Sequence, residues 1–160
     1  MQCPPATARS RSRAASVLLA AALLALSSAA GAQTAQQRLI GTYRLIKYTP
    51  HGPAPIGRIE YDAGHRMWAM IFPPDRKPVD QKSSPEEWRD TMRGAIAYYG
   101  TYTIDEPTGR VIHHVQAASN PAWIGDDFIR WYRFDGQHLL LSLNGNFDNP
   151  LVLEAVLVDI

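Results

Sequence analysis

The stretch YYGTYTIDEPTGRVIHHVQAASNPAWIG (residues 98–125) constrains the fold more than any other part of the chain. Two runs rich in β-branched and aromatic residues, Gly100–Asp105 and Arg110–Ala118, flank the turn sequence Glu106-Pro107-Thr108-Gly109. The second run carries the polar pair His113-His114 at its centre. The pattern predicts a β-hairpin with polar side chains at mid-strand, which is how a β-barrel orients a molecule held inside it.

Short β-type runs separated by Gly, Pro, Asn and Asp continue along the rest of the chain. Strands joined by short turns pair with their sequence neighbours, and about eight of them can close on themselves. We therefore predict an all-β, eight-stranded, up-and-down antiparallel barrel, with a β-sandwich as the alternative. The predicted strands are Ile40–Thr49, Arg58–Tyr61, Arg66–Phe72, Gly100–Asp105, Arg110–Ala118, Phe128–Phe134, His138–Leu143 and Leu151–Val158.

One helix is predicted between strands 3 and 4. Ser84 and Glu87 form a capping box around Pro85, which suits the first helical position. A helix of about 14 residues is expected, ended by Gly100 and packed on the sheet by an apolar stripe at helical spacing. The stripe consists of Trp88, Met92, Ala95, Ile96 and Tyr99.

The first 32 residues have the pattern of a secretory signal peptide. Three arginines precede the apolar run Val17–Leu26, and Ala30-Gly31-Ala32 forms a cleavage site before Gln33. An uncleaved anchor is the alternative, but the run is shorter than the roughly 20 residues that span a bilayer. We expect cleavage to leave residues 33–160 as one barrel domain, periplasmic or secreted and without stable membrane insertion.

Composition excludes several classes of function for that domain. Three of the 16 Lys and Arg lie in residues 1–32, which leaves 13 against 15 Asp and Glu. The slight negative balance and the lack of a basic stripe argue against a nucleic-acid partner. The only cysteine, Cys3, leaves with the signal peptide, so lipidation and disulfides are not expected.

Several motifs resemble those of the bacterial and fungal lipocalin-like domain family over residues 39–155. The segment Leu39–Tyr43 resembles the Gly-x-Trp opening of lipocalins, with Tyr43 in the Trp position. The family's middle motifs correspond to Tyr98, Gly100-Thr101-Tyr102, His113-His114-Val115 and Asn120-Pro121-Ala122-Trp123-Ile124-Gly125. The resemblance implies a calycin-type barrel with an interior binding site.

The last strand departs from the family pattern. In lipocalins a late arginine stacks over the opening Trp and plugs one end of the barrel. Here the corresponding segment is Leu153-Glu154-Ala155, so we expect the plug to be built differently, with Arg130 as a candidate.

The histidines do not have metal-ligand spacing. His113 and His114 are adjacent on a strand, so their side chains point to opposite faces and cannot share one ion. No metal and no cofactor are expected. Either histidine of the pair could face the interior, as a group that orients a ligand or as a hydrogen-bonded core residue.

Six residues are the candidate ligand contacts. Tyrosines combine an apolar ring with a polar tip, Trp123 follows Asn120-Pro121 on a loop at the barrel mouth, and an inward arginine could pair with a carboxylate or cap a barrel end. The candidates are Tyr43, Tyr102, His113, His114, Trp123 and Arg130.

The sequence favours a barrel that binds a small, mostly hydrophobic molecule. One alternative is an isomerase or cyclase that protonates its substrate through His114. The other is a barrel filled by its own side chains, with a structural or interaction role. Nucleophilic catalysis lacks support because the chain has no G-x-S-x-G motif and no cysteine outside residues 1–32.

Overall fold

The computed structural model describes residues 33–52 and 55–156, so the predicted signal peptide lies outside the described residues. Eight strands follow one another, with a short helix before the first and a second helix between the third and fourth. The strands are β1 (Gly41–Lys47), β2 (Ile56–Tyr61), β3 (Arg66–Phe72), β4 (Ile96–Asp105), β5 (Arg110–Ala118), β6 (Asp127–Asp135), β7 (His138–Ser142) and β8 (Leu151–Ala155), and the helices are α1 (Ala35–Leu39) and α2 (Pro85–Met92).

The strands form a closed barrel in the order of the sequence. Every strand pairs antiparallel with its neighbour, and the β1–β8 pairing, with Tyr43 opposite Ala155 and Leu45 opposite Leu153, closes the sheet. The predicted up-and-down barrel is confirmed, and the sandwich alternative is wrong.

Alternating side chains along each strand fill the interior. In β5, Val111, His113 and Val115 are buried, whereas Ile112 and His114 are partly exposed. This alternation follows from the two-residue period of a strand, which sends successive side chains to opposite faces of the sheet. The sequence left open which histidine faces inward, and the structure shows that it is His113.

Helix α2 begins as predicted but ends early. The Ser84–Glu87 capping box forms, and the helix ends at Met92. Ile96 and Tyr99 belong to β4, and Trp88 and Met92 are 45% and 43% exposed. The predicted long helix with a buried apolar stripe is therefore wrong. The aromatic and β-branched residues after Gly94 extend β4 instead, which buries Tyr98 in the barrel.

Helix α1 closes one end of the barrel. Leu39 is fully buried, and the Tyr43 hydroxyl donates a hydrogen bond to the Arg38 carbonyl oxygen at 2.8 Å. The Arg38 guanidinium lies 3.9 Å from the centre of the Phe134 ring, a cation–π contact. The plug is thus built from Arg38. The expectation that Arg130 forms it is wrong, because Arg130 lies four residues before Phe134 in β6 and lines the space at the other end of the barrel.

Among the described residues, no helix has the length and apolar character needed to cross a membrane.

Candidate functional site

A cavity of about 230 Å³ occupies the barrel interior at the end opposite α1. Most of its wall is aliphatic or aromatic, and six of the lining residues are Ile59, Ile71, Ile96, Phe128, Leu141 and Leu151. A surface depression beside α2 is larger, about 380 Å³, but charged side chains such as Asp75, Arg76 and Arg93 line it and it does not enter the barrel.

A buried imidazole forms the polar part of the cavity wall. The His113 side chain is fully buried, and each of its ring nitrogens has a phenol partner. The Tyr61 hydroxyl lies 2.8 Å from Nε2, and the Tyr98 hydroxyl lies 2.9 Å from Nδ1. These partners sit on β2 and β4, so three inward-facing residues from different strands meet at one level of the barrel.

The surroundings of His113 keep its imidazole neutral. Burial lowers the pKa of His113 from 6.5 to about 3, and the positive charge of Arg130 adds to the effect. Burial also raises the pKa of Tyr61 well above its usual value. A neutral imidazole between two neutral phenols can hold and orient a proton, but it is a weak acid–base catalyst near pH 7.

Aromatic contacts continue from this group to the cavity mouth. The Tyr98 ring packs edge-on against Phe128, with 5.3 Å between ring centres, and Phe128 packs edge-on against Trp123 at 5.8 Å. Trp123 ends a short 3₁₀ helix, Pro121–Trp123, between β5 and β6. A second depression, of about 390 Å³, shares Ile96 and Trp123 with the cavity, so the indole forms part of the wall of both.

Arg130 faces the cavity from β6. Its guanidinium lies 5.1 Å from the centre of the Phe128 ring, and Nη1 donates a hydrogen bond to the Ile129 carbonyl oxygen at 2.8 Å. Burial raises the pKa of Tyr98, and the Arg130 charge opposes that effect. Within the described residues, Arg130 makes no ion pair with a carboxylate.

Three of the six candidate residues do not reach this cavity. Tyr43 and Tyr102 are packed at the closed end, where the Tyr102 hydroxyl donates to the Asp62 carbonyl oxygen at 2.8 Å. His114 points to the outer surface, where its ring nitrogens lie 3.0 Å from the Thr103 hydroxyl and 2.6 Å from an Asp127 carboxylate oxygen. Of the pair that the sequence left open, His113 occupies the inward position, and His114 is not in the interior.

The other three candidates, His113, Trp123 and Arg130, line the cavity together. Sequence reasoning missed most of the aliphatic wall and the role of Tyr61 and Tyr98 as partners of His113. The signal that could have found them is strand parity: if His113 faces inward, the tyrosines at inward positions of β2 and β4 surround it. Tyr48, which lines the cavity from the end of β1, carried no such signal.

Among the residues that the structure describes, no group of three or more His, Cys, Asp or Glu side chains is placed to hold a metal ion.

Comparison with models of known protein families finds a match. A family model described as "Lipocalin-like domain" matches residues 40–154, which includes all eight strands except the outermost residue of β8. No curated protein matches the chain.

Proposed function

Because the chain belongs to the lipocalin-like domain family, we propose that it is an exported protein that binds one small, mostly hydrophobic molecule inside its barrel. The observation that carries the proposal is the 230 Å³ cavity, lined by apolar side chains and by the polar groups of His113, Tyr98 and Arg130. Binding pockets for small molecules combine mainly apolar walls with a few convergent polar groups.

The binding energy would come mostly from the apolar wall. Each Å² of apolar ligand surface removed from water contributes roughly 25 cal/mol. The polar groups would fix the ligand's orientation, because a buried polar atom without a partner is costly. The volume lies below the roughly 300–1,000 Å³ of pockets for drug-sized ligands, so the ligand is small or extends past Trp123.

Neither alternative function is supported as well. A barrel filled by its own side chains should not leave an interior cavity of this size. An isomerase acting through His114 lacks its acid, because that side chain is outside the barrel. His113 is inside, but its pKa of about 3 leaves it unprotonated at neutral pH.

Export is proposed from the sequence alone. Residues 1–32 carry the positive, apolar and small-residue segments of a signal peptide. Expression of the full chain in a Gram-negative host followed by fractionation tests this part. Intact-mass measurement should find a periplasmic or secreted species that begins at Gln33, and a full-length cytoplasmic species would contradict it.

Native mass spectrometry of the mature protein tests ligand binding. The expected spectrum contains a satellite peak for a noncovalent adduct, which organic extraction removes and readdition of the extract restores. A protein that carries no adduct and binds none of a panel of small apolar alcohols, ketones and acids would overturn the proposal.

A further inference from the structure

The hydrogen-bond chain through His113 determines which atoms the cavity offers to a ligand. A neutral imidazole has one N–H donor and one lone pair. Since Nε2 and Nδ1 each face a phenol, at 2.8 Å and 2.9 Å, one phenol donates to the ring and the other accepts from it. Which phenol donates to the ring depends on which of the two hydroxyls has a second hydrogen-bond partner.

Tyr61 has no other partner among the described residues. Its side chain is fully buried, and its hydroxyl makes its single hydrogen bond with His113. If Tyr61 accepted from the ring, its own hydrogen would be buried and unpaired, which folded proteins avoid. Tyr61 therefore donates to Nε2, and Nδ1–H donates to the Tyr98 oxygen.

In this arrangement the hydrogen of the Tyr98 hydroxyl can donate to a ligand in the cavity. The Tyr98 oxygen accepts from His113, and no described residue accepts the Tyr98 hydrogen. Tyr98 and Arg130 both line the cavity, and both contact the Phe128 ring, whose centre lies 5.3 Å from the Tyr98 ring centre and 5.1 Å from the Arg130 guanidinium. Two hydrogen-bond donors, one of them a cation without a carboxylate partner in the described part of the chain, thus meet in one wall.

From this arrangement we propose that the ligand is an apolar carboxylic acid. Its carboxylate accepts hydrogen bonds from the Tyr98 hydroxyl and the Arg130 guanidinium, while its hydrocarbon part packs against Ile59, Ile71 and Leu141. The guanidinium fork matches the two oxygens of a carboxylate. The volume of the cavity, about 230 Å³, limits the hydrocarbon part of the acid to a short chain. This inference rests on the proposed function and specifies its ligand class.

Three probes of equal chain length test whether the cavity prefers a carboxylate, independently of whether it binds an apolar molecule at all. Octanoate, 1-octanol and octylammonium share one hydrocarbon tail and differ in the charge and hydrogen-bonding capacity of the head group. Calorimetry with the mature protein at pH 7.5 should give octanoate an affinity at least tenfold higher than that of octanol, with octylammonium weakest. Equal affinities for octanoate and octanol would overturn the carboxylate assignment and leave the proposed function standing. No binding of any probe would overturn both.

Two pairs of variants locate the head group. Arg130→Met should lower the affinity for octanoate at least tenfold and leave octanol within about twofold, whereas Arg133→Met, an exposed position on the same strand, should change neither. Tyr98→Phe should weaken octanoate about fivefold, and the exposed Tyr99→Phe should have no effect. Near-UV circular dichroism checks the fold of each variant, and Arg130→Gln replaces Arg130→Met if the latter does not fold. Unchanged octanoate binding in folded Arg130 and Tyr98 variants would overturn the assignment.

Discussion

His113 is a titratable group that the fold keeps uncharged. Tyr61 from β2 and Tyr98 from β4 face its ring nitrogens, and the charge of Arg130 from β6 disfavours a second positive charge nearby. Burial is the larger cause of its lowered pKa. Unfolding exposes the imidazole to water and restores its ordinary pKa. The free energy of unfolding should therefore depend on pH through this residue.

The stability of the protein should fall with acid because of this residue. The pKa of His113 is about 3 in the folded protein against 6.5 ordinarily, so below pH 6.5 the unfolded chain takes up a proton that the folded protein does not. The free energy of unfolding should therefore lose about 1 kcal/mol per pH unit from this group near pH 6, a slope that approaches about 1.4 kcal/mol per pH unit as the pH falls to 4.5. Denaturant unfolding of wild type and His113→Gln over this range measures it.

Comparison with His113→Gln separates the effect of the histidine on stability from the effect of the carboxylates. Asp62, Asp105 and Glu154 also have lowered pKa values, from hydrogen bonds and ion pairs with neighbouring residues, but both proteins keep these groups. The advantage of wild type over His113→Gln should shrink steadily as the pH falls. Parallel stability curves would mean that folded His113 accepts a proton in this range, contrary to its environment.

Removing the Tyr61 hydroxyl should destabilise the fold. Tyr61→Phe leaves His113 Nε2 buried without a donor, which costs about 1–3 kcal/mol. Tyr99→Phe removes the same atom from a side chain that is 57% exposed and should change the unfolding free energy by less than about 0.5 kcal/mol. Chemical unfolding at pH 7.5 compares the two, and equal effects would argue against the Tyr61–His113 hydrogen bond.

The hairpin β4–β5 contains an irregularity that its sequence requires. The register shifts between Tyr99 and Gly100, and a Cβ on Gly100 would lie 1.9 Å from the His114 carbonyl oxygen. Only glycine allows the two backbones to approach so closely. Because the bulge sits between Tyr98 and Tyr102, it separates the tyrosine that reaches the cavity from the one sealed at the closed end.

Gly100→Ala should therefore be strongly destabilising. The methyl group collides with backbone rather than with a mobile side chain, so the two strands must separate, at an expected cost of about 3 kcal/mol or more. In Gly64→Ala the nearest contact is 3.3 Å, to the Asp62 carboxylate, and the cost should be about 0.5 kcal/mol. Thermal unfolding of both variants distinguishes these outcomes, and a Gly100→Ala protein as stable as Gly64→Ala would contradict the close approach.

The elements that could be predicted are those with local sequence signals. Turn residues between alternating runs located the strands, and the Ser84–Glu87 capping box located the start of α2. The end of α2 could not be predicted, because the residues after Met92 fit both a helical stripe and a strand, and pairing of Ile96 and Ala97 with β3 decides between them. Helix α1 was missed although Thr34 and Gln37 form a capping box.

The site was predicted only in part, because its residues come together through strand pairing. Local sequence placed a histidine at mid-strand and a tryptophan on a loop, but the height of a side chain along the barrel axis depends on register. Tyr43 and Arg130 illustrate this: both face inward, yet Tyr43 lies at the closed end and Arg130 lines the cavity. Only the β1–β8 and β5–β6 registers distinguish their positions.

Closure of the sheet produces the binding space. With β1 paired to β8 the sheet has no free edge. Helix α1 fills one end of the interior, and the cavity lies at the other end. A bulky side chain in that volume should abolish binding without opening the barrel. Leu141→Trp, from the cavity wall, should lower octanoate affinity at least tenfold, while Leu140→Trp, from the neighbouring position in β7, should leave it unchanged. Equal affinities in calorimetry would place the ligand elsewhere.

The central claim, that a small apolar molecule binds inside the barrel, can be tested through the four tryptophans. Of these, Trp123 lines the cavity, whereas Trp68, Trp88 and Trp131 do not. In ¹H–¹⁵N spectra of the mature protein titrated with octanoate, we expect the indole N–H resonance of Trp123 to shift in a saturable manner while the other three stay in place. A titration that moves the resonances of Trp68, Trp88 or Trp131 and leaves that of Trp123 unchanged would contradict binding in the cavity.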